Sequence, residues 1–78
     1  MYKIYGFNRC NSCRKAVELA KQKNLPYEFI VINTDEIRED VKYLAGVKGN
    51  LTIPQIFKDD VYIGGLKEYI NYISRVRF

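Results

Sequence analysis

Arg9-Cys10-Asn11-Ser12-Cys13-Arg14 is the stretch that decides how this 78-residue chain is read. It stands between two segments of different period. Before it, Tyr2 to Phe7 contains Lys3-Ile4-Tyr5, a short run rich in β-formers, and Gly6 and Asn8 mark a turn. After it, from about Ser12 to Lys23, Cys13, Ala16, Val17 and Ala20 recur at helical spacing and give one apolar face. Lys21 and Lys23 suit the negative end of that helix, and Asn24 followed by Pro26 stops it. The cysteine pair therefore opens a helix that follows a strand.

That placement carries chemistry. The first N–H groups of a helix lack intrahelical partners and, with the helix dipole, favour a negative charge, so a thiolate at Cys10 is stabilised there. Cys13 lies one helical turn further on, within reach of a mixed disulfide formed at Cys10. The expected reaction is reversible thiol–disulfide exchange. Two other readings of the pair stand beside it: half of a metal site, or two unrelated buried cysteines. A metal site lacks a second ligand pair within one chain.

The composition narrows the field further. There is no His, so Cys-His and Ser-His-Asp systems and His-ligated metals are excluded. Two Cys do not make a disulfide-stapled secreted scaffold. An apolar share of 47%, with seven Tyr and four Phe, excludes a disordered tail. The length fits one domain, residues 1–78. No apolar run approaches the ~18 residues of a membrane span, and the start lacks a secretory leader, so the reading is a soluble, cytoplasmic protein.

Charge points to the same end of the chain. The formal net charge is +4, but residues 1–23 carry +5, residues 24–41 carry −4 and the rest +3. Arg9, Arg14 and Lys15 flank the cysteines and favour both a thiolate and an anionic substrate. No basic-aromatic motif supports nucleic-acid binding.

Downstream, Tyr27 to Ile32 is a nearly continuous apolar run and reads as a strand buried on both faces. Asn33 is placed to cap a second helix, with Glu36 three residues on as in a capping box. Ile37, Val41, Leu44 and Ala45 form its apolar face, and Gly46 and Gly49 end it. Gln55 to Phe57 and Val61 to Ile63 make a hairpin across Lys58-Asp59-Asp60. Leu66, Tyr69, Ile70 and Ile73 repeat at helical spacing in a last helix. The fold class is α/β, in the order βαβαββα: a four-stranded mixed sheet with three helices, its first βαβ unit a right-handed parallel crossover. Taken alone, Pro54 is a strand-entry proline and Gly64-Gly65 a turn before a helix.

Together, Lys3-Ile4-Tyr5, Cys10-Asn11-Ser12-Cys13, Thr52-Ile53-Pro54-Gln55-Ile56-Phe57 and Tyr62-Ile63-Gly64-Gly65 resemble glutaredoxins of the thioredoxin superfamily, of the compact bacterial and bacteriophage kind. The resemblance covers nearly the whole chain. It implies a thioredoxin-like fold, with Cys10 as exposed nucleophile, Cys13 as resolving thiol and Pro54 as the cis-proline facing the sulfurs. It implies a glutathione site in which Ile53 pairs with the tripeptide backbone and Gly65 and Leu66 present N–H groups to a carboxylate, with Arg9, Ser12 and Gln55 alongside. No tightly bound cofactor is implied; glutathione is the co-substrate. Partners are disulfide-bearing proteins, ribonucleotide reductase among them by family analogy, and the chain acts as a monomer. The sequence departs from the family at Asn11-Ser12, where Pro-Tyr is usual, at Phe7, where many members have Lys, and at Lys67, where an acid is usual. Ser12 and Lys67 motivate one alternative, a thioredoxin-like hydrogen donor fed by a flavoprotein reductase, and the small Asn11-Ser12 pair leaves room for another, a carrier of an iron–sulfur cluster held between two chains with glutathione.

Overall fold

The structure is a computed structural model that describes residues 1–75; Val76 to Phe78 lie outside the described residues. The elements are β1 (Tyr2–Gly6), α1 (Asn11–Gln22), β2 (Tyr27–Val31), α2 (Asp35–Ala45), β3 (Gln55–Lys58), β4 (Val61–Gly64) and α3 (Leu66–Arg75). The four strands form one mixed sheet in the order β2-β1-β3-β4. β1 runs parallel to β2 and antiparallel to β3, and β4 folds back on β3 as a hairpin.

Alternation along β1 decides what each face of the sheet meets. Tyr2 and Ile4 point to one face, where Ile4 sits opposite Ile56 of β3 and both are fully buried. Ala16 and Ala20 of α1 and Tyr69 and Ile73 of α3 close over them. The small alanines let α1 lie close to the sheet, and the Tyr2 and Tyr69 rings meet edge to face at 5.7 Å. Lys3 and Tyr5 point the other way. Tyr5 packs edge-on against Phe57 at 5.6 Å, and Leu44 of α2 shares a cavity of about 180 Å³ with them.

Three local expectations are corrected. β2 is not buried on both faces: it is an edge strand with β1 on one side only, its Glu28 is exposed and its other residues are half-buried. The cap of α2 is Thr34 rather than Asn33; its Oγ1 accepts from Ile37 N at 3.1 Å, which puts Glu36 one position too early for a capping box. Asp35 and Glu36 instead serve the positive end of the helix. On α2 Val41 is buried as expected, but Leu44 is 57% exposed because α2 covers its face of the sheet only partly. The helix ends at Gly46, whose φ of 71° is the left-handed conformation that glycine adopts without strain.

Candidate active site

The sheet brings three turns to one end. β1 delivers its C-terminal end there and leads into the Cys10 loop; β3 begins there, directly after Pro54; β4 ends there, directly before Gly65. A side-chain carbon on Gly65 would lie 3.5 Å from the Pro54 carbonyl, so the second and third turns are in contact. The Ile53–Pro54 peptide is cis.

Cys10 is the N-cap of α1. Its backbone is extended, with φ −94° and ψ 120°, and its Sγ accepts the Cys13 N–H at 3.3 Å. The sulfur thus takes the place of a capping oxygen, in contact with one of the helix's orphan donors. Cys10 O accepts from Arg14 N at 3.0 Å, the first turn of the helix. Both cysteines are free thiols, but they differ in exposure: Cys10 is partly exposed and Cys13 is 1% exposed. Burial, and then the Cys10 sulfur, push the Cys13 thiol up to about 11, while the Phe7 backbone pulls it back in part. Cys13 is therefore a protonated thiol at neutral pH.

Gly6 makes room for this arrangement. A side-chain carbon there would collide with Cys13 Sγ. The sequence marks Gly6 only as a turn residue, whereas it is the last residue of β1 and is buried. A glycine closing a strand just ahead of a cysteine helix was the available signal.

The remaining expected site residues lie as follows. Arg9 and Ser12 are exposed on either side of Cys10; Ile53, Gly65 and Leu66 are half-buried; Pro54 is buried. Gly65 N–H, expected to meet a ligand carboxylate, instead donates to Glu68 Oε1 at 2.9 Å. Gln55 departs most from expectation. It is 2% exposed, and its amide is engaged with Thr52 and Tyr62 rather than turned to a ligand. Among the described residues no cluster of three or more His, Cys, Asp or Glu is gathered for a metal ion.

The glutaredoxin family model matches residues 2–63. The chain is 35% identical to Glutaredoxin 1 of Rickettsia prowazekii, across 87% of this chain and 72% of that protein. It is 37% identical to Glutaredoxin 1 of Rickettsia felis over 80% of this chain, which spans 61% of that relative's length. Against Glutaredoxin 1 of Escherichia coli it is 32% identical, across 91% of this chain and 89% of the other. The solved structure of reduced Escherichia coli glutaredoxin superposes with a TM-score of 0.80 at 29% identity, covering 94% of this chain and 92% of that one. A buckwheat glutaredoxin–glutathione complex shares the fold, with a TM-score of 0.76 at 19% identity over 94% of this chain and 67% of that one. The likeness thus extends through all four strands and not just the cysteine helix, and it places the chain in the glutaredoxin family of thiol–disulfide oxidoreductases.

Proposed function

We propose that the chain is a dithiol glutaredoxin that draws electrons from glutathione and reduces protein disulfides and glutathione mixed disulfides, acting as one monomeric domain over residues 1–78 in the reducing cytoplasm. The observation that carries this reading is the unequal placement of the two thiols: Cys10 partly exposed at the helix start, Cys13 buried beside it with its proton held.

The roles follow from that inequality. Cys10 thiolate attacks one sulfur of a substrate disulfide; a Cys10–substrate S–S bond forms, the substrate S–S bond breaks, and the departing thiolate takes a proton from water. With Cys10 in a disulfide, its contribution to the raised Cys13 pKa disappears and Cys13 becomes easier to deprotonate. Cys13 then attacks Cys10 sulfur and releases the second substrate thiol, so two electrons have moved and Cys10–Cys13 is oxidised. Two glutathiones return the dithiol: the first forms a mixed disulfide at Cys10, and the second displaces it as glutathione disulfide. Ile53 backbone pairs with the tripeptide, and Gly65 and Leu66 N–H groups receive its carboxylate. Arg9 and Ser12 border the bound ligand.

The test is turnover of a disulfide substrate with glutathione and glutathione reductase, set against turnover with thioredoxin reductase. Turnover with glutathione is expected; turnover only with thioredoxin reductase would replace this reading with the thioredoxin-like one. Ribonucleotide reductase is the protein substrate to assay first.

A further inference from the structure

We infer that Gln55 and Tyr62 are positioning residues that turn the Ile53 N–H toward the substrate; the inference rests on the glutathione-dependent reading above. Gln55 is the buried polar side chain at the start of β3, and three hydrogen bonds use both ends of its amide. Its Nε2 donates to Thr52 O at 2.7 Å and to Thr52 Oγ1 at 3.0 Å. Its Oε1 accepts from Tyr62 OH at 2.6 Å. One side chain thus ties the turn before β3 to the hairpin strand β4.

The geometry of the peptide bond gives the first bond its consequence. Thr52 O and Ile53 N–H belong to one planar trans peptide and point in opposite directions. Drawing Thr52 O inward to Gln55 therefore turns Ile53 N–H outward. Among the described residues no backbone partner holds that N–H. An extended substrate backbone is the partner of matching chemistry.

Tyr62 and Thr52 together fix which way round the Gln55 amide sits. An amide presents an acceptor at one end and two donors at the other. The Tyr62 hydroxyl donates, so it holds Oε1 and leaves the NH₂ group facing Thr52. Without that donor the buried Oε1 loses its partner and the amide is held only at its NH₂ end, so the Thr52–Ile53 peptide is fixed less firmly. Burial, and then the charge of Glu68, raise the Tyr62 pKa above its ordinary value, so the phenol keeps its proton throughout the neutral range. The Tyr62 ring packs against Phe57 at 5.2 Å, and this contact survives removal of the hydroxyl alone.

The experiment compares the wild-type chain with Tyr62→Phe and Gln55→Met on a glutathionylated peptide and measures alkylation of Cys10 by iodoacetamide. Tyr62→Phe should raise KM about three- to tenfold with little change in kcat, and Gln55→Met should raise it further. The iodoacetamide rate should stay at the wild-type value, because so small a reagent does not use Ile53 N–H. An unchanged KM in folded Tyr62→Phe overturns the inference, and so does a matching loss of alkylation rate, which marks general damage. If Gln55→Met fails to fold, Tyr62→Phe alone decides. A wild-type chain that turns over no glutathionyl substrate overturns the proposed function and this role with it, and that failure is visible before any variant is made.

Discussion

Cys13 donates its backbone N–H to the sulfur of Cys10 at 3.3 Å while its own thiol is buried beside Gly6, so two sulfurs one helical turn apart meet opposite surroundings. One is presented and the other is kept in reserve.

The two cysteines should fail differently when replaced. Cys10→Ser removes the presented sulfur and should abolish all thiol–disulfide turnover. Cys13→Ser leaves Cys10 able to exchange a glutathionyl group and should lose protein-disulfide reduction while retaining deglutathionylation. Parallel assays on the two substrate types check this, and full activity in Cys10→Ser would remove it from the nucleophile role.

Stability should fall at alkaline pH, and more steeply in the reduced form. Burial, and then Cys10, hold Cys13 at about 11 against an ordinary 9.0. Between those values the unfolded chain has released the Cys13 proton and the folded chain still binds it. The contribution is thus fully present below pH 9.0 and is lost as pH rises toward 11. Its size is on the order of 2 kcal/mol. The disulfide form has no Cys13 thiol to titrate, whereas the raised pKa values of Tyr2, Tyr62 and Tyr69 are common to both forms. Urea midpoints of the two forms from pH 8 to 11 are the measurement; parallel curves would contradict it.

Gly6→Ala should destabilise the fold by about 1–3 kcal/mol, because the added carbon overlaps Cys13 Sγ and lies 3.2 Å from Cys13 Cβ. Displacing that sulfur should also slow closure of the Cys10–Cys13 bond. Denaturation midpoints read the first effect and rapid-quench kinetics of the second exchange step read the other. A midpoint equal to wild type would show that the pocket around Cys13 yields easily.

Tyr69→Phe should preserve or raise stability, by up to about 1 kcal/mol. Among the described residues the buried hydroxyls of Tyr69 and Tyr2 have no hydrogen-bond partner, and burial drives the Tyr69 pKa up to about 12. Removing an oxygen without a partner among the described residues deletes a desolvation cost while the ring keeps its edge contact with Tyr2. A thermal midpoint clearly below wild type would reveal a partner for that hydroxyl.

The sequence was legible where period and burial coincide. Cys13, Ala16 and Ala20 repeat at helical spacing because the sheet covers that face of α1, and all three are buried. Other features depend on neighbours that the local sequence does not name. The apolar run from Tyr27 says nothing about how many strands flank it, and it lies at an edge. Asn33 and Thr34 are both capping types, and it is Thr34, extended at φ −137° and ψ 157°, whose hydroxyl reaches Ile37 N. Gln55 reads as a residue beside the ligand until its partners are seen: Thr52, three residues before it, and Tyr62, seven after it. Gly6 gains its importance from a sulfur seven residues away.

The meeting of three turns at one end of the sheet separates two kinds of reactivity. Cys10 and its helix lie in the first third of the chain, whereas the ligand contacts proposed for Ile53, Gly65 and Leu66 flank the β3–β4 hairpin. A partial opening that frays the hairpin but spares β1 and α1 would leave a sulfur that small alkylating reagents still find and that tripeptides no longer recognise. Selectivity is thus the more fragile property, and it reports on the integrity of the fold sooner than the thiol does.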